Sequence, residues 1–167
     1  MATILTAIDL INDKRIKLKK IMDIQCPIEA FQLLALHIDF LGKLLHRLKP
    51  EVSTAWGNNT PDAKKCFELV CTQLSSMQKY DKDILRDKLR NGMIHNEVPK
   101  ADLWLTHEAK QVLDKNNIVI NINDIYVDFS AACDEVINKL NTYEKKQPGS
   151  LTNDEKFPKM VIKGLKE

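Results

Sequence analysis

The sequence predicts an all-α fold, an up-down bundle of about five helices, on three observations. Apolar residues return every three or four positions through successive stretches of the chain. Prolines with helix-starting or helix-stopping neighbours separate those stretches, at Cys26-Pro27, Lys49-Pro50, Thr60-Pro61 and Val98-Pro99. Only Ile118–Ile122 is β-branched and partly alternating, so strand content amounts at most to a short β-hairpin inserted between helices 4 and 5.

The first element spans about residues 3 to 23, with Ile4, Ile8, Ile11, Leu18 and Met22 as its apolar stripe. Lys14, Arg15, Lys17, Lys19 and Lys20 crowd its second half; such a run is more often a solvated face than an RNA-binding one. Pro27 suits the first turn of helix 2, which reaches about Leu48. Two apolar stripes, one through Ile28, Phe31, Ala35, Ile38, Leu41, Leu45 and Leu48 and one through Leu33, Leu36, Phe40 and Leu44, predict the best-buried helix, with one stripe free to meet more core or a partner subunit. Thr60 and Pro61 cap and open helix 3, whose inner face is Ala63, Phe67, Val70, Leu74 and Met77.

Helix 4 is expected from about Asp81, carrying Leu85, Leu89 and Met93 into the core and stopping before Val98-Pro99. Leu103–Thr106 could pair with Ile118–Ile122; residues 107–113 read equally as part of that connection or as a helical turn capped by Thr106. Asn123 is the expected cap of helix 5, with Ile125, Phe129, Ala132, Val136, Leu140 and Tyr143 facing inward. After Gln147-Pro-Gly-Ser150 the periodicity is lost, so residues 1–147 are expected to form one domain and 148–167 a loosely attached or disordered tail.

Composition narrows the function classes. With 44% hydrophobic and 29% charged residues the chain is that of a globular protein, and no apolar run approaches the roughly 18 residues of a membrane span. The N-terminus lacks a cationic start and a long apolar core, so no signal peptide is expected. Cys26, Cys66, Cys71 and Cys133 form no metal-ligand spacing and read as core thiols of a protein in a reducing cytoplasm. His37 and His46 stand on opposite sides of helix 2, cannot share a metal, and are expected near the surface or a helix end. No metal and no cofactor is expected. A net charge of +2 does not by itself imply a nucleic-acid partner.

One stretch carries chemistry. Asp87-Lys-Leu-Arg-Asn-Gly-Met-Ile-His95-Asn96 places Arg90, Asn91 and His95 within little more than a turn, with Asn91 and His95 i,i+4 on one face. An Arg five residues before a His occurs by chance in about one chain in ten of this composition, and with Asn after the Arg in about one in a hundred. The chain has 25 basic residues, only four of them Arg, and Arg86 and Arg90 both fall here. Arg offers phosphate a planar bidentate match that Lys does not. The bland alternative is that Arg86 with Asp83, and Arg90 with Asp87, form solvated i,i+3 pairs.

Arg90-Asn91-x-x-x-His95, late in a helix of a small helical domain, resembles the R-x(4–6)-H motif of the HEPN superfamily. The resemblance covers the decapeptide and the helical layout and selects no subfamily. It implies a HEPN-like domain over 1–147 and a metal-independent endoribonuclease of a prokaryotic defence or toxin–antitoxin system, with Arg90, Asn91 and His95 catalytic. Arg86, Lys88 and Asn96 would contact the RNA. It implies that two copies of the motif face each other in a homodimer, formed through the motif helix and helix 2, and that an antitoxin-like protein could hold the activity in check. A non-catalytic dimerisation or nucleotide- or RNA-binding module is the alternative, since some members of the superfamily are of that kind.

Overall fold

The computed structural model describes residues 2–95, 103–106 and 118–163, and over these the protein is mostly helical. The long elements are α1 (Ala7–Asp23), α2 (Pro27–Arg47), α3 (Ala63–Gln73) and α5 (Ile122–Lys146), with α2 in contact with each of the others. A 3₁₀ turn at Ser75–Met77 leads to a helix that is π-wound over Ile84–Arg90 and α-wound over Asn91–His95 (α4). The remaining elements are β1 (Ala2–Leu5), β2 (Leu103–Thr106), β3 (Ile118–Asn121), the single-turn α6 (Ser150–Asn153) and β4 (Met160–Lys163).

α2 is the central element: Phe31, Ala35, Ile38, Leu41 and Leu45 of one predicted stripe and Leu44 of the other are buried, as is Leu34, which neither stripe held, whereas Ile28 and Leu36 stand exposed and Leu33 and Phe40 half-buried. Opposite them lie Leu18 of α1, Phe67 and Val70 of α3, Leu85, Leu89 and Met93 of the motif helix, and Phe129, Val136 and Leu140 of α5. α2 comes close to α3 at Gly42, where a Cβ would stand 2.5 Å from the Cα, Cβ and carbonyl oxygen of Cys66. Only glycine lets the two backbones sit so near.

Boundaries shift where capping side chains decide them. The first helix begins at Ala7 and not near residue 3, because Thr6 and Asp9 form a capping box, Thr6 N–H donating to Asp9 Oδ2 at 2.8 Å. Asp62, not Thr60, caps α3 through Lys65 N–H at 2.8 Å. Asn121, not Asn123, caps α5, its Oδ1 accepting from the Asn123 and Asp124 N–H groups.

Two expectations are corrected. β2 and β3 do pair, but in parallel register, Leu103 with Ile118 and Thr106 with Asn121, so the pair is not a hairpin. Parallel strands need a crossover connection, and residues 107–117, where the open choice between connection and helical turn fell, lie outside the described residues. The segment after Lys146 is not loose over 150–163: Leu151, Lys156 and Phe157 are buried, and β4 pairs antiparallel with β1, Leu5 opposite Met160. Glu144 docks it, accepting from Gly149 N–H, Ser150 Oγ and Leu151 N–H at 2.6–2.9 Å. Gly149 turns the chain there at φ 81°, in the left-handed region. Sequence periodicity misses this segment because its anchors are single residues and long-range strand pairs.

Candidate functional site

The motif helix is set by three supports. α5 fixes its lead-in: both oxygens of Glu135 are held by the N–H and hydroxyl groups of Ser75 and Ser76 at 2.8–3.1 Å, and Tyr80 donates to Asp128 at 2.5 Å. The buried side chains Leu85, Leu89 and Met93 hold its inner face. From α2, Gln32 Nε2 donates to the Met93 carbonyl at 3.1 Å, beside the motif.

The polar residues of the outer face form a chain. Arg86 clamps Asp87, its Nε on Oδ1 at 2.7 Å and its Nη2 on Oδ2 at 2.5 Å, and reaches Asp83 at 3.4 Å. This bidentate pair holds the Arg86 guanidinium above its ordinary pKa. Asn91 Nδ2 leans on Asp87 Oδ1 at 3.4 Å, and Asn91 Oδ1 accepts from Arg90 Nη1 at 2.8 Å. Asp87 thus sets the direction of the Asn91 amide, and Asn91 holds Arg90.

Arg90 makes no ion pair among the described residues, and its Nε–H is buried without a hydrogen-bond partner. The alternative of a solvated pair with Asp87 is not met; that carboxylate takes both nitrogens of the Arg86 clamp. A buried donor left open costs about 1–3 kcal/mol, so its presence in a native site asks for a ligand or a reason.

Of the other residues singled out, Lys88 lies half-buried on the same segment. The backbone of His95 continues the α-turn that starts at Asn91, so the two stay i,i+4, about 40° apart round the axis. The His95 side chain and Asn96 lie outside the described residues. Sequence reasoning overlooked Asp87 as an organiser and Gln32 as a support; the signal for Asp87 was its place four residues before Asn91.

His37 corrects another expectation. It is buried on α2, stacked on Phe129 with centroids 6.1 Å apart, and burial, reinforced by Lys14, pushes its pKa down to about 3. No group of three or more His, Cys, Asp or Glu stands close enough to hold a metal among the described residues. Cys66, Cys71 and Cys133 are buried, which raises the pKa of each thiol. No helix among the described residues is long and apolar enough to cross a membrane. Comparisons with models of protein families, with curated proteins and with solved structures found no match to the chain.

Proposed function

We propose that the protein is a HEPN-type, metal-independent endoribonuclease whose helical core is an up-down bundle and whose active site is shared by two copies of the chain. The observation that carries the reading is the state of Arg90: its Nη1 held by Asn91 and its guanidinium unpaired with any described carboxylate.

In this mechanism Arg90 binds the scissile phosphate and stabilises the charge that grows on its non-bridging oxygens. His95 takes the proton of the RNA 2′-OH; the O2′–P bond forms as the P–O5′ bond breaks, leaving a 2′,3′-cyclic phosphate. The departing O5′ needs a proton, and one histidine cannot give and take in the same step, so His95 of the second copy supplies it. Asn91 keeps Arg90 in place, and Lys88, Arg86 and Asn96 line the approach of the RNA, with Arg86 acting through its pair with Asp87.

The surface beside the motif supports the dimer. Ile28, Gln32 and Leu36 stack i,i+4 along α2; Gln32 touches the motif helix, and Ile28 and Leu36 are each about half exposed, at 52% and 48%. These two side chains flank the contact with the motif helix, and the proposed dimer would cover them. The setting that goes with the reading is a cytoplasmic defence or toxin–antitoxin system with an inhibitory partner protein.

The test is cleavage of a labelled mixed-sequence RNA in EDTA by wild type, Arg90→Ala and His95→Ala, beside the same RNA with 2′-deoxy sugars, with light scattering for oligomeric state. Cyclic phosphate ends from wild type, a loss of about 10²–10⁴ in each variant and an inert deoxy strand are expected. A monomer at micromolar concentration refutes the shared site. Equal silence of folded dimeric wild type and variants would make this a binding module that does not cut RNA.

A further inference from the structure

The second half of α5 and the C-terminal ends of α2 and α3 border an open groove of about 690 Å³. On α5 its lining runs from Glu135 to Lys146, about 16 Å or three helical turns. Counted along α2, it begins about 20 Å from Gln32 and the motif helix. An open trough of this length suits a peptide laid along it, whereas a compact ligand is held by a cleft that closes over most of its surface.

The rim of the groove is basic. Lys139 and Lys146 share one face of α5, seven residues apart, and Lys49 stands just beyond the end of α2. Their ammonium groups form no ion pair among the described residues, whereas Lys17, Lys19, Lys43, Lys65 and Lys79 each sit against a carboxylate. Glu135, the carboxylate of the lining, has both oxygens occupied by Ser75 and Ser76. Behind the rim, buried Lys156 donates to the Lys49 carbonyl at 3.1 Å, and buried Arg47 donates to the Thr54 carbonyl and hydroxyl and to the Asn58 carbonyl. Asp154 and Glu51 offset part of the charge at Lys156, and Arg47 adds to it. Cations answered mainly by carbonyls leave a field that complements the carboxylates of a partner.

The walls favour a peptide over a nucleic acid. Leu45, Leu48 and Pro50 place an apolar surface beside the lysines. Grooves that track nucleic acid combine their cations with open aromatic faces on which bases stack. Tyr143, the aromatic residue of this lining, is already engaged: Phe157 packs edge-on with 5.2 Å between centroids, and the Lys156 ammonium lies 5.0 Å over the Tyr143 ring. No arginine stands among the described lining residues to take a phosphate in bidentate fashion.

We propose that this groove docks an acidic amphipathic segment of a partner protein, its apolar side chains on Leu45, Leu48 and Pro50 and its carboxylates on Lys49, Lys139 and Lys146. Gln73, Asn138 and Thr142 offer amide and hydroxyl groups to the rest of the segment. The site is separate from the Arg90 site and stands or falls without the ribonuclease reading.

Panning a displayed library of random peptides, each of about 12 residues or three helical turns, over the immobilised whole chain tests it. Sequences that combine Asp or Glu with large apolar residues are expected to be enriched on wild type and not on Lys139→Ala/Lys146→Ala. A labelled consensus peptide, followed by fluorescence anisotropy, should bind saturably and should bind more weakly as salt is raised. An exposed ion pair contributes up to about fivefold in affinity, so the double variant should weaken the peptide about tenfold. Both lysines are exposed, so the variant should keep the wild-type circular dichroism. Lys17→Ala/Lys20→Ala on α1 should bind the peptide like wild type. Enrichment of no acidic sequence, or a consensus peptide that binds the Lys139/Lys146 variant as tightly as wild type, overturns the site. A mixed-sequence deoxy strand that displaces the peptide, and itself loses binding in that variant, overturns the occupant in favour of nucleic acid.

Discussion

Acid should destabilise this protein through His37 well above the range in which carboxylates titrate. The imidazole is 3% exposed, stacked on Phe129, with its Nδ1 unpartnered and Lys14, Asp13 and Lys17 as the nearest charges felt. Its pKa falls from the ordinary 6.5 to about 3 on folding, so the unfolded chain binds the proton more readily. Stability is therefore complete above about pH 6.5, declines by up to about 1.4 kcal/mol per pH unit below it, and stops declining near pH 3. Between about pH 7.5 and pH 5 the loss is about 2 kcal/mol, a figure set by the unfolded value because the folded imidazole is neutral throughout that interval. Urea unfolding of wild type and His37→Leu at the two pH values measures it. The substitution removes an unsatisfied polar atom and conserves volume, so it should cost less than about 1.5 kcal/mol at the higher pH and abolish most of the difference between the two. Equal pH dependence in the two proteins would refute the linkage to His37.

Three other outcomes are expected. Gly42→Ala sets a Cβ 2.5 Å from the Cys66 backbone, which must move α2 from α3; a cost of about 3 kcal/mol and a melting midpoint lower by roughly 5–10 °C should appear in a circular dichroism melt. Phe157→Ala removes a fully buried ring packed edge-on against Tyr143 and should cost about 3–5 kcal/mol in urea unfolding, whereas a loosely attached tail would lose nothing measurable. Asn91→Ala removes the 2.8 Å acceptor of Arg90 and should lower RNA cleavage about tenfold, as read in single-turnover assays, with an unchanged melting midpoint.

What the sequence made legible was periodicity. The inner faces of α3 and α5 and most of that of α2 follow from apolar spacing, and Leu85, Leu89 and Met93 are buried as that spacing requires; on α2 the spacing misses Leu34 and takes Ile28 and Leu36, which are exposed. What it concealed depends on residues far apart in the chain. β1 exists because β4 returns to it from the other terminus. The order of β2 and β3 is parallel, which no local pattern encodes. His37 is buried because Phe129 lies across from it. At the site, the residue types were readable and the partners were not: Arg86 and Arg90 each had a carboxylate three residues away, yet among the described residues only Arg86 forms an ion pair.

The winding of the motif helix explains that difference. In an α-helix, residues three apart lie about 60° from each other round the axis, close enough for Arg90 to take Asp87. Over Ile84–Arg90 the backbone closes i to i+5, with Asn91 N–H bonded to the Arg86 carbonyl. More residues then fill each turn, which spreads positions three apart to roughly 90° or beyond. Asp87 is thereby turned from Arg90 and left to Arg86 beside it, while Arg90 falls to the Asn91 amide. The buried pair Leu85 and Leu89 cannot reveal this, because a spacing of four returns close to the same face in either winding. The π turn thus separates one arginine from the carboxylate three residues before it and leaves its Nη1 to the Asn91 amide.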